Sequence, residues 1–152
     1  MRTSTLLAVA SAPLVALATP LLAPRQNTTT FCTRIDPPPT AAEAEKRFNE
    51  FANFFLVEKD IYRAFDYILP EYINHNPLAE DGAQNALDLL SPFWGTQNIT
   101  VLRTKFGGEM TWLNYQSAFG EIVDRFRWES GCIIEHWDQG EVFPADACKR
   151  GL

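Results

Sequence analysis

The sequence is short of positive charge. Thirteen Lys and Arg stand against nineteen Asp and Glu, a net charge of −6, with the acidic residues spread along the chain. Nucleic acid and anionic membranes both call for a basic patch, so neither is expected as a partner. There is no internal repeat, and no low-complexity tract beyond the three prolines at 37–39. Cysteine is scarce, with three residues, no Cys-x-x-Cys pair and no His/Cys spacing of a structural metal site. No metal and no cofactor is therefore expected. What remains is a chain of 152 residues, 46% hydrophobic and 21% charged. That supports one globular domain with a real core and hardly two.

The first two dozen residues, MRTSTLLAVASAPLVALATPLLAPR, have the layout of a secretory signal. Arg2 precedes a long apolar run, and Ala16-Leu17-Ala18 supplies small residues for cleavage after Ala18. Pro13 and Pro20 interrupt the run, which argues against a membrane anchor. The expected organisation is a signal at 1–18, a Thr- and Pro-rich tail at 19–39, a domain at 40–145 and a C-terminal tail at 146–152. The mature protein is then secreted and free of the membrane. In that compartment Asn27-Thr28-Thr29 and Asn98-Ile99-Thr100 are glycosylation sequons, at Asn27 and Asn98. Two of the three thiols can also pair there. Cys32 and Cys148 lie near the two ends of the mature chain, outside the regular elements, and are the expected bridge. Cys132 is left over.

Thr40 followed by Glu43 is a capping box, and Phe48, Phe51 and Phe55 recur at helical spacing after it. This predicts a helix over 41–57. Asp60 caps a second helix, 60–69, stopped by Pro70. Residues 71–76 read as a short extended piece ended by Pro77, and Asp81 opens a third helix, 82–94. The period then becomes alternating, with strands at about 98–106, 109–119, 121–129 and 132–139. Helices first and strands afterwards make an α+β pattern, helices covering one face of an antiparallel sheet.

The last hairpin, IVDRFRWESGCIIEHWD from Ile122 to Asp138, interleaves carboxylates with large apolar residues. Ser130-Gly131 suits a two-residue turn. A regular ladder from that turn opposes Trp128 to Ile133, Phe126 to Glu135 and Asp124 to Trp137. One face then carries Ile122, Asp124, Phe126, Trp128, Ile133, Glu135 and Trp137, and is apolar enough to meet the helices. The other carries Arg125, Arg127 and His136, and is a solvent or dimer face. Asp124 and Glu135 thus point inward, where an unpaired carboxylate costs several kcal/mol. Three readings stay open: structural pairing with Arg or Tyr, a wet rim, or a cavity in which desolvation suits a carboxylate to acid–base work.

Tyr72-Ile73-Asn74-His75-Asn76-Pro77, Asp81-Gly82, and Ile122-Val123-Asp124-Arg125-Phe126-Arg127 with Ile133-Ile134-Glu135-His136-Trp137-Asp138 resemble the SnoaL-like polyketide cyclase family. They resemble most its branch of predicted aldol-condensation-catalysing proteins. The similarity spans roughly 41–145. It implies the cone-shaped α+β barrel of nuclear transport factor two, with a curved antiparallel sheet around a helix-lined pocket. It also implies cofactor-free aldol cyclisation, isomerisation or dehydration of a small apolar or carbonyl-containing molecule. Asp124 matches the family's acidic strand position and His75 its motif histidine, so these are the implied catalytic pair. The candidate substrate-binding residues are Glu135, Trp137, Trp128, Phe126 and Tyr72. Asn114 joins them, standing where the branch usually carries a histidine and able to hydrogen-bond an enolate oxygen. His75 also has a plainer reading, a backbone hydrogen bond at a strand end.

Overall fold

The computed structural model describes residues 29–145. The expected signal at 1–18, the Asn27 sequon and Cys148 lie outside them. Asn98 lies in the exposed loop ahead of the second strand.

Thr40 starts the first helix as the sequence requires. Its hydroxyl accepts the Glu43 N–H at 3.4 Å, and its own N–H donates to the Glu43 carboxylate at 2.8 Å. Helix α1, Ala41–Ala52, continues as a π-helical stretch over Asn53–Val57. Together they fill the expected 41–57. Phe48, Phe51 and Phe55 are all buried.

Asp60 caps α2 through the Arg63 N–H at 3.2 Å, but α2 is short, Ile61–Phe65. Residues from Ile68 to Asn74 form strand β1 instead of the tail of a helix. Pro70 therefore ends no helix; it sits inside an edge strand, where its missing N–H is tolerated. Burial explains the change. Ile68 joins the main core while Leu69 packs with Cys32, Cys132 and Ile134. Consecutive apolar residues serving two clusters suit a strand. Helix α3, Ala83–Leu90, follows Gly82, whose φ of 98° needs a glycine. Asp81 does not cap it; its carboxylate accepts the Asn74 N–H at 2.8 Å. The helix stops short of the expected 94, and a 3₁₀ turn occupies Trp94–Thr96.

Four strands complete the sheet: β2 Thr100–Gly107, β3 Met110–Ser117, β4 Gly120–Glu129 and β5 Cys132–Trp137. The order is β1-β5-β4-β3-β2. Strands β2 to β5 form an antiparallel meander, whereas β1 joins β5 in parallel. The sheet is thus mixed, not wholly antiparallel, and it stays open with β1 and β2 at its edges. The α+β class stands. One face, with Leu113, Tyr115, Phe126, Trp128 and Ile133, shares the main core with the helices. Phe51 of α1 meets Phe126 edge-on at 5.1 Å and Trp128 at 5.9 Å.

The disulfide differs from expectation. Cys32 is bonded to Cys132, with the Cα atoms 5.8 Å apart, which overturns the Cys32–Cys148 pairing. The reason is the path of the N-terminal segment. The Cys32 N–H donates to the Ile68 carbonyl and the Ile35 N–H to the Ser130 carbonyl, both at 2.9 Å. These bonds lay the segment across β1 and the hairpin turn, where Cys132 begins β5. Among the described residues no helix is long and apolar enough to cross a membrane.

Candidate active site

The site is made by one extra residue in β5. The hairpin starts in the expected register, with Glu129 opposite Cys132 and Trp128 opposite Ile133. The register then shifts, and Arg127 pairs with Glu135, Phe126 with His136 and Arg125 with Trp137. Ile134 is the additional residue of a β-bulge. Beyond it every side chain of β5 changes face. Glu135 and Trp137, expected inside, lie outside; His136, expected outside, lies inside.

Charge pairing accounts for the shift. A regular ladder would bury Glu135 beside Phe126 and leave Arg127 with only the more distant Glu129, at 3.7 Å. In the shifted ladder the Arg127 Nε donates to Glu135 at 2.7 Å, and the His75 Nε2 stands 2.9 Å from the same carboxylate. Hydrogen bonds from His75 and then Arg127 hold the Glu135 carboxyl below its ordinary range. His75 stacks on Trp137 at 4.4 Å, and the Arg125 guanidinium lies 4.3 Å from the same indole. His75, Glu135 and Trp137 are therefore a cluster on the outer face, not pocket residues. Strand alternation puts His75 there, since Tyr72 and Asn74 point inward. Asn114 is also outside the cavity, fully buried between the Arg103 Nε and Glu121, each at 2.9 Å. Trp128 is on the inner face but deeper, donating its indole N–H to Thr111 at 2.9 Å.

Three of the sequence candidates do line a cavity: Asp124, Phe126 and Tyr72. It encloses about 100 Å³ between the sheet and the helices. Phe51, Phe55, Phe65, Ile68, Trp94 and Phe126 make much of its apolar wall. Asn74, Asn76, Asp124, His136 and Asp138 gather at its polar end.

Asp124 is 3% exposed. Its Oδ1 lies 3.1 Å from the His136 Nε2. The other ring nitrogen, Nδ1, lies 3.2 Å from the Asn74 side-chain oxygen. That atom is fixed as oxygen, because it also accepts the Asn76 backbone N–H at 3.1 Å. A neutral ring carries one N–H, which donates either to this oxygen through Nδ1 or to Asp124 through Nε2; a doubly protonated ring donates to both. Tyr115 adds a hydrogen bond to Asp124, and burial, then that carboxylate's charge, raise its phenol far above the ordinary value. Tyr72 is raised likewise, by burial first and Asp124 second. Both phenols stay protonated and can donate. Asp138 closes the polar end: its Oδ2 accepts the Asn76 side-chain N–H at 2.7 Å. Its Oδ1 is buried without a hydrogen-bond partner.

Asn74 and Asp138 escaped the sequence reading, which put His136 on the outer face. The signal that could have found His136 was electrostatic. A one-residue shift of β5 is the change that gives Glu135 an Arg and Asp124 an imidazole together.

No family model and no curated protein sequence matches the chain. Solved structures do. An NTF2-like protein of unknown function from Burkholderia xenovorans superposes with a TM-score of 0.54 at 16% identity, covering 68% of this chain and 88% of its own. A protein from Kribbella flavida gives a TM-score of 0.52 at 15% identity over 60% of this chain and 80% of its own. TsrD of Streptomyces laurentii gives 0.50 at 19% identity, covering 66% and 90%. The chain has the NTF2-like fold. The SnoaL-like resemblance is borne out at this level, since SnoaL-like proteins share that fold. Its two anchor segments fall on β1 and on the β4–β5 hairpin, the parts of the NTF2-like sheet that build the polar end of the cavity.

Proposed function

We propose that the chain is a secreted acid–base enzyme of SnoaL-like type. It acts on a small molecule bearing a hydrogen next to a carbonyl, by aldol cyclisation, isomerisation or dehydration. The observation that carries this is the buried Asp124–His136 pair at the polar end of an aromatic cavity. Asp124 is the base toward the C–H bond, and His136 supplies or stores the returning proton. The role first given to His75 passes to His136. The protonated phenol of Tyr72 is the available donor to a developing enolate oxygen, while that of Tyr115 is engaged by Asp124. A cavity of about 100 Å³ is small beside the roughly 300–1,000 Å³ of drug-sized sites. The substrate is accordingly compact and not polycyclic. Secretion is supported by the leader at 1–18 and by the Cys32–Cys132 bond, which suits an oxidising compartment.

The test needs no natural substrate. Small ketones and β-dicarbonyl compounds are incubated in D₂O, and loss of the α-proton signal is followed by NMR. The wild type accelerates exchange of at least one probe. Asp124→Asn keeps shape but removes the base, so the rate falls about a hundred- to ten-thousand-fold. An Asp124→Asn variant exchanging at the wild-type rate rules the reading out. If the cavity binds such compounds and never exchanges them, the protein is a ligand-binding module of the same fold.

A further inference from the structure

The polar end of the cavity is crowded with acceptors. The Asp124 carboxylate, the His136 Nε2 and the Asp138 carboxylate place one ligand atom each within 4.8 Å of one another. Two further facts separate this cluster from an ordinary acidic patch. The Asn74 side-chain oxygen lies 3.2 Å from the His136 Nδ1, so it can take that nitrogen's proton and leave the Nε2 lone pair, on the Asp124 side of the ring, to a metal. A carbonyl oxygen on the remote nitrogen is what orients a metal-binding imidazole. The second fact is the Asp138 Oδ1, buried and without a partner, while Asn76 holds the other oxygen in place.

We propose that Asp124, His136 and Asp138 bind a divalent first-row transition ion. With metal–ligand distances of about 2.1 Å, ligand atoms of one ion stand about 3.0 Å apart when adjacent and about 4.2 Å apart when opposed. The Asp124–His136 separation of 3.1 Å already matches an adjacent pair. Asp138 lies within 4.8 Å of both and closes the third position with a side-chain movement of at most about 2 Å on the same arithmetic. One imidazole and two carboxylates suit Zn²⁺ or Mn²⁺ over the harder Mg²⁺ and Ca²⁺. The ion takes the place of a proton shared between Asp124 and His136. Metal and proton are alternative occupants, and a bound ion silences Asp124 as a base. The inference uses the same cavity as the acid–base reading but does not depend on turnover.

Isothermal titration of the full chain, disulfide intact, with ZnCl₂ tests it, with MgCl₂ as the contrast. The expected result is one Zn²⁺ per chain and no comparable Mg²⁺ heat. Asp138→Asn, which retains a side-chain oxygen for Asn76, weakens Zn²⁺ at least tenfold. His75→Asn, on the outer face, leaves it unchanged. Circular dichroism confirms that both variants are folded. Absence of stoichiometric Zn²⁺ binding overturns the proposal. So does unaltered affinity in Asp138→Asn, or loss of binding in His75→Asn, which would put the ion at the Glu135 cluster. Failure of Zn²⁺ binding leaves proton exchange by Asp124 standing, and failure of exchange leaves the metal site standing.

Discussion

Asp124 and Glu135 stand eleven residues apart in one hairpin, and their surroundings give them opposite tasks. Asp124 is buried against His136 and Tyr115 at the end of an apolar cavity. Glu135 lies on the outer face between His75 and Arg127, its side chain 15% exposed. Its carboxyl is held below the ordinary carboxylate range, first by His75 and then by Arg127. A carboxyl depressed in the folded state adds stability above its unfolded pKa and loses it as pH falls through the folded pKa. Glu135→Gln should therefore lower Tm at neutral pH. The gap to wild type should close as the pH drops below about 4.5, the unfolded reference. Thermal melts of both proteins from pH 7 to pH 3 check this; a gap that widens on acidification contradicts the assignment.

The elements were largely legible in the sequence, and the failures have physical causes. The capping box, the Phe spacing of α1 and the Ser130-Gly131 turn are local signals, and each formed as expected. Strand β1 was hidden because Pro70 reads as a helix stop, while its place at a parallel sheet edge depends on a partner sixty residues away. The bulge at Ile134 was invisible to a period-two reading, and it moved Glu135, Trp137 and His136 to faces opposite those expected. Asp124 and Phe126, on the unbulged β4, kept theirs. The disulfide was missed for a related reason: the N-terminal tail packs onto the hairpin turn through backbone bonds that no sequence pattern marks. Closing a separation of 100 residues stabilises by about 2–5 kcal/mol. Replacing Cys32 and Cys132 together by Ser should lower Tm by on the order of 10 °C or more. A loss of that size on Cys148→Ser instead would restore the pairing first expected.

At the scale of the whole molecule, helices followed by strands gave the α+β class, and two sequence anchors pointed to the NTF2-like fold. The open mixed sheet leaves its inner face to the helices, and the cavity survives where β1, the β4–β5 hairpin and α3 converge. Its position was legible through Asp124, Phe126 and Tyr72. Its chemistry was not, because the histidine is delivered by the bulge. The account therefore stands on His136, set with Nδ1 toward Asn74 and Nε2 toward Asp124. The chain has only two histidines, so ¹⁵N NMR of the imidazole rings reads each directly. The prediction is a His136 with an Nε2 signal that shifts in Asp124→Asn while His75 does not respond. A His136 whose Nε2 signal stays unchanged, or a response to Asp124→Asn at His75 alone, contradicts it.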